Sequence, residues 1–137
     1  MAMNVLDLPF INHLGLHFSA DGELSLKVSG HHKNHLGTVH ATVLYGIAEA
    51  CSGQAVIDKF FKPYPNALVV IRRAAIKYRS PARADLSARV RKTDPGLEVV
   101  MKQLQQKGIA KFEIEVETRS ADEVAAIATF DFFIKID

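Results

Sequence analysis

The sequence predicts an α+β fold in which an antiparallel sheet wraps around one long central helix. Three observations carry that prediction. Residues 41–60 form an almost wholly apolar helical run, and four later stretches alternate or run apolar as strands do. A second helical pattern, over about 95–107, interrupts those strands. At 137 residues, 48% of them hydrophobic, the chain suffices for a single domain, 1–137, with a substantial core.

The elements follow in order. Residues 4–12 suggest a short helix or turn that packs Leu6, Phe10 and Ile11 onto the body and is limited by Pro9. His13 to Phe18 reads as a short strand and Asp21-Gly22 as a hairpin turn. Leu24, Leu26 and Val28 then alternate with Ser25, Lys27 and Ser29, as in a half-buried strand. After a polar loop comes the helix from about 41 to 60, ended by Pro63 and Pro65. From Ala67 to Arg79 the residues are β-prone. Leu68, Val70, Ala74, Ile76 and Tyr78 fall on one face, interrupted by Arg72, and Arg73, Lys77 and Arg79 on the other. Ser80-Pro81 breaks that strand, and residues 83–92 resume as another.

Leu97 to Leu104 has the valines of a strand, but its apolar positions 97, 100, 101 and 104 have helical spacing. Asp94 suits the cap, Pro95 the first helical position and Gly108 the stop. From Ile109 to Arg119 the alternation is clean: Ala110, Phe112, Ile114 and Val116 inward, Glu113, Glu115 and Glu117 outward. A turn near Ala121-Asp122 leads to a last strand, about 124–136, with Phe130 and Phe132 opposed by Ile127 and Phe133.

The first helix is organised around an anomaly. A helix apolar nearly all round is a buried one, and a buried carboxylate is costly unless paired or protonated. Yet Glu49 sits in its middle, and at 100° per residue Thr42, Tyr45, Glu49 and Ser52 share one narrow sector. That seam reads either as the wet side of an amphipathic helix or as a catalytic carboxylate facing a substrate channel. In the second case free N–H groups stand at the helix start nearby.

Composition narrows the classes. A net charge of +2 is too small to argue nucleic acid, and Tyr78 alone supplies no stacking platform within the basic stretch. No apolar run approaches the ~20 residues of a membrane span. The single cysteine, Cys51, excludes an internal disulfide and reads as a small buried hydrophobe. With no basic-then-apolar leader visible, the expected compartment is the cytoplasm. His31, His32, His35 and His40 raise the question of zinc, but no cysteine and no HExxH spacing accompany them, so no metal is expected. Residues 72–92 hold Arg72, Arg73, Lys77, Arg79, Arg83, Arg89, Arg91 and Lys92 against one acid, Asp85. Arg89 and Arg91 read as a sheet face neutralised by Glu113, Glu115 and Glu117. Arg73, Lys77, Arg79 and Arg83, flanking Pro81, suit a phosphate-bearing ligand.

The run Asn34-x-x-Gly37-Thr-x-His40-Ala41, with Glu49 eight residues beyond Ala41, resembles the signature of hotdog-fold acyl-CoA thioesterases. Tyr78-Arg-Ser-Pro81 is similar to that group's Tyr-x-x-Pro turn. The likeness is to the 4-hydroxybenzoyl-CoA and phenylacetate-type thioesterases, and the helix at 95–107 resembles an uncharacterised branch related to the C-terminal domain of the YiiD proteins. It implies a hotdog fold and hydrolysis of an acyl thioester. Ala41 N–H would serve as oxyanion donor, Asn34 would hold the carbonyl or the water, Glu49 would act as nucleophile or general base, and His40 would brace the turn. Gly37, Thr42, Tyr45, Ser52, Arg73, Lys77, Arg79 and Arg83 would line the acyl-CoA site. No cofactor is implied beyond coenzyme A as part of the substrate. The resemblance also implies a homo-oligomer, a dimer or a dimer of dimers, with Glu49 acting opposite the partner's Ala41. His40-Ala41-Thr42 replaces His-Gly-Gly, Ile71 stands where a Ser or Thr assists the water, and Ala84-Asp85 replaces Gly-Asp. These departures leave a non-catalytic acyl-CoA- or partner-binding hotdog protein as the alternative. A hotdog dehydratase would separate its His and acid more widely, with prolines between.

Overall fold

A computed structural model describes residues 3–137. A 3-10 turn at Val5–Asp7 and a short helix α1 (Pro9–Leu14) precede the hairpin of β1 (Leu16–Phe18) and β2 (Leu24–Leu26). Helix α2 (Ala41–Phe60) follows, then β3 (Leu68–Tyr78), β4 (Leu86–Asp94), α3 (Leu97–Lys107), β5 (Ile109–Ser120) and β6 (Glu123–Lys135). The six strands form one antiparallel sheet in the order β1-β2-β4-β5-β6-β3. It curls around α2, the hotdog arrangement.

The core lies between α2 and the inner face of the sheet. Phe112, Ile114 and Val116 of β5 and Ala128, Phe130 and Phe132 of β6 meet Ile47, Ala48, Val56 and Phe60 of α2, all buried. Phe112 stacks on Phe132 at 5.3 Å between ring centroids and meets Phe60 at 5.8 Å. Each such ring contributes about 1.5–3 kcal/mol by leaving water. Helix α3 buries Val100 and Leu104 at helical spacing and stops at Gly108, whose φ of 74° an L side chain adopts only with strain.

Several local expectations are corrected. Pro9 opens α1 at its first position rather than limiting a helix, because that position needs no N–H. Phe10 is 65% exposed, so only Leu6 and Ile11 pack inward. His13 and Leu14 belong to α1, and the strand begins at Leu16. Val28 lies beyond β2, its N–H donating to Asp85 Oδ1 at 2.9 Å. Asp94 ends β4, and Gly96 is the residue at the cap of α3.

The largest correction concerns β3. Its register against β6 shifts between Ile71 and Arg73, a bulge at Arg72. One extra residue reverses side-chain parity. Val69 and Ile71 therefore share the inner face with Ala74, Ile76 and Tyr78, while Leu68 and Val70 turn outward and are 55% and 40% exposed. Strand β3 is also the free edge of the sheet. On the outer face, Arg89 pairs with Glu117 at 3.1 Å and Arg91 with Glu115 at 3.7 Å, the neutralised ladder that the alternation predicts. Arg119 adds a second cation to Glu117 at 3.6 Å, so this outward acid is nearly covered.

Candidate active site

The loop before α2 is built by Asn34 and Gly37. Asn34 Oδ1 accepts from Leu36 N–H at 2.9 Å and Thr38 N–H at 3.1 Å, and Nδ2 donates to Thr38 Oγ1 at 2.9 Å. One amide hydrogen of Asn34 has no acceptor among the described residues. Gly37 closes the turn at φ 76°, donating to Asn34 C=O. Val39 N–H donates to Ala82 C=O at 2.9 Å, which ties the loop to the turn after Pro81.

A helix start leaves four N–H groups without intrahelical partners. Three are satisfied here. His40 N–H donates to His32 C=O at 2.8 Å, His40 Nδ1 accepts from Thr42 N–H at 3.0 Å, and His40 C=O accepts from Val43 N–H at 2.9 Å. The ring is thereby fixed as a cap, with Nδ1 its acceptor. The fourth donor, Ala41 N–H, has no acceptor among the described residues and stands at the positive end of the helix dipole.

Asn34, Ala41, Leu44, Tyr78, Arg79 and Arg83 line a cleft of about 520 Å³ beside this donor. The Tyr78 hydroxyl donates to Ala41 C=O at 3.3 Å, holding the strand end against the helix start. Neither Arg79 nor Arg83 has a carboxylate partner among the described residues. Arg73 and Lys77 do not join them. Both lie on the outer face, where the alternation with Ala74, Ile76 and Tyr78 puts them, Arg73 opposite Asp131 and Lys77 opposite Ile127. Arg73 there lines a separate cleft with Arg72, Lys111 and Asp131.

Glu49 lies elsewhere, two turns further along α2, in a groove of about 320 Å³ with Val5, Gly53, Val56, Phe61 and Ile71. Its carboxylate has no hydrogen-bond or ion partner among the described residues, and burial raises its pKa above the usual carboxylate value. Tyr45, one turn earlier, rests edge-on against Phe130 at 5.6 Å. Burial, then the charge of Glu49, then Tyr78 push its phenol upward. Thr42 is exposed at the helix start.

Ser52 departs from the expected seam. It is fully buried and its Oγ donates to Glu49 C=O at 2.7 Å, so its hydroxyl is taken up within the helix. The groove beside Glu49 continues instead along Gly53, which the sequence does not single out because glycine carries no polarity signal. Also missed was Gln54, whose Oε1 accepts from Val5 N–H at 3.0 Å and holds the N-terminal turn on α2.

The remaining candidates are structural. His32 is buried, its Nδ1 accepting from Ser29 N–H at 3.0 Å and its Nε2 donating to Leu14 C=O at 2.8 Å. Among the described residues no three His, Cys, Asp or Glu side chains gather as metal ligands. Burial pushes the Cys51 thiol up to about 12, which suits packing and not nucleophilic attack. No helix is long and apolar enough to cross a membrane among the described residues.

A family model described as a domain of unknown function, DUF4442, matches residues 9–132. Among solved structures the chain is similar to PA5026 of Pseudomonas aeruginosa, a protein of unknown function called a probable thioesterase. The two are 18% identical, with a TM-score of 0.83 over 97% of this chain and 91% of that one. It is also similar to the BH2602 protein of Bacillus halodurans, solved with CoA, at 21% identity, covering 88% of this chain and 72% of that one with a TM-score of 0.66. A mutant of the thioesterase PA1618 from Pseudomonas aeruginosa is 15% identical, covering 96% of this chain and 89% of that one with a TM-score of 0.71. No curated protein matches the chain in sequence.

Proposed function

The chain belongs to the DUF4442 family, and from that premise and the geometry of α2 we propose that it hydrolyses the thioester bond of an acyl-CoA. The observation that carries this reading is Glu49: a half-buried carboxylate with a raised pKa and no partner among the described residues, in the apolar middle of a helix whose first N–H has no acceptor among them either. That the similar BH2602 protein was solved with CoA supports the ligand class.

The chemistry needs an electrophile held at one pole and a base at the other. Ala41 N–H donates to the thioester carbonyl oxygen and stabilises the oxyanion that develops there. The spare amide hydrogen of Asn34 serves the same oxygen or the water. Glu49 attacks the carbonyl carbon, or takes a proton from a water that does. The C–S bond then breaks, and coenzyme A leaves as a thiolate that takes up the proton given by water; where Glu49 is the nucleophile, that water hydrolyses the acyl–Glu49 anhydride, releasing the acid and restoring the carboxylate. Arg79 and Arg83, free of carboxylates, bind the phosphates of that leaving group.

Eight residues of helix separate Ala41 from Glu49 by about 12 Å, too far to act on one carbonyl. A second copy resolves this. Strand β3 presents an eleven-residue unpaired edge with Leu68 and Val70 exposed, a surface that soluble proteins leave uncovered at the risk of aggregation. Pairing two such edges about a two-fold axis favours a homodimer in which Glu49 of one copy faces Ala41 of the other.

Thiol release from short, long and aromatic acyl-CoAs tests the reading, with Glu49→Gln beside wild type. A loss of about 10²-fold or more in the variant is expected. No release by wild type across the panel sinks hydrolysis in favour of a binding protein, a reading that the methyl of Ala41 and Ile71 beside Glu49 would suit. Equal rates in both proteins would make the carboxylate structural.

A further inference from the structure

We infer that the groove holding Glu49 takes an unbranched, medium-length alkyl chain, laid along α2 from Glu49 towards Phe61 beneath the N-terminal turn. This rests on the hydrolase reading above and names its substrate. Apart from Glu49 at one end, every residue lining the groove is apolar, so nothing there binds a sugar, phosphate or peptide. The free cations lie in the other cleft, beside Ala41. A thioester carbonyl held between the two poles therefore sends its nucleotide towards Arg79 and Arg83 and its hydrocarbon into the groove.

The dimensions select the hydrocarbon. Glu49 and Phe61 are twelve residues apart, about 18 Å along the helix. A volume of about 320 Å³ over that length averages one hydrocarbon chain in section. At roughly 30 Å³ per water-sized unit it holds on the order of ten methylenes.

Gly53 is the control point for chain length in this groove. It lies one turn beyond Glu49, where the wall is bare backbone, and a Cβ there would stand 3.5 Å from Val5 Cγ1, an ordinary contact. The Val5 N–H bond to Gln54 keeps the turn across the groove at this level. A longer side chain at position 53 fits at its root and projects into the path of the alkyl chain.

Calorimetric titration with S-alkyl-CoA thioethers, which cannot be hydrolysed, tests this directly on wild type, Gly53→Leu and Phe61→Ala. Wild-type affinity is expected to rise by about fourfold per methylene and to level off near ten carbons. Gly53→Leu should weaken decyl-CoA by about tenfold or more and leave ethyl-CoA unchanged. Phe61→Ala, which opens the far end, should extend the rise to longer chains. Affinity independent of chain length, decyl-CoA binding unaltered in both variants, or no binding of any thioether would overturn the inference. Chain-length-dependent binding by a protein that releases no thiol leaves the groove standing and overturns hydrolysis. Thiol release with a flat chain-length profile does the reverse.

Discussion

The two ends of the functional stretch of α2 are chemical opposites. At Ala41 the helix offers a bare donor, flanked by two unpaired arginines and a loop of satisfied hydrogen bonds. At Glu49 it offers a bare acceptor in a groove otherwise wholly apolar. Among the described residues, each end holds a group without a partner: Ala41 N–H at one, the Glu49 carboxylate at the other. A solvent-facing N–H at a helix start is ordinary, but a half-buried carboxylate without a partner is not. Separated by about 12 Å on one helix, the pair makes chemical sense as halves of a site that two copies assemble.

The largest effects should come from removing either half. Ala41→Pro deletes only the donor, because proline is favoured at the first helical position and His40, at φ −62° and ψ 140°, already has the backbone a following proline requires. Turnover should fall by about 10²- to 10³-fold with the melting temperature little changed. Glu49→Gln should match it in size. Mixing the two inactive variants breaks or sharpens the comparison. Random reassortment gives mixed dimers with one intact site, and activity should return to about a quarter of the wild-type level. Failure to recover in a mixture shown to exchange subunits would mean that the halves do not meet across copies.

A smaller effect should follow from the arginines. Arg79→Ala with Arg83→Ala should raise KM for acyl-CoA by about tenfold at low salt, and the difference should shrink as ionic strength rises. Arg73→Ala and Lys77→Ala, on the outer face, should leave KM unchanged. A KM that responds to Arg73 instead would relocate the phosphate site.

How much of this was legible in the sequence differs between the two ends for a physical reason. The Ala41 pole is local: Asn34, Gly37, His40 and the helix start lie within eight residues, and turn and capping chemistry read directly from residue type. Glu49 stood out too, as the acid among the apolar residues 46–51. Its groove was not, because its walls come from Val5, Gly53 and Ile71, which are far apart in sequence and apolar like any core residue. Arg73 and Lys77 were grouped with Arg79 by proximity to Pro81. Strand parity decides their direction and was readable from the alternation with Ala74 and Ile76; what only the register against β6 reveals is the bulge that turns Leu68 and Val70 outward. Ser52 shared the helical sector of Glu49, yet a hydroxyl that returns to the backbone tolerates full burial and a carboxylate does not.

The smallest expected effect concerns stability and separates the poles once more. Burial raises the pKa of Glu49 in the folded chain, so the folded state holds this proton more tightly than the unfolded one. The stabilisation from the group is therefore complete below the unfolded pKa and is lost as pH rises through the raised folded value. Glu49→Gln keeps a neutral side chain at every pH. It should melt a few degrees above wild type at pH 7 and together with it below about pH 4, where wild-type Glu49 is protonated in both states. Ala41→Pro carries no titrating group and should track wild type across the whole range. A Glu49→Gln protein that melts below wild type at neutral pH would mean that the carboxylate has a stabilising partner in the folded assembly, and the bare-acceptor half of the comparison would fall.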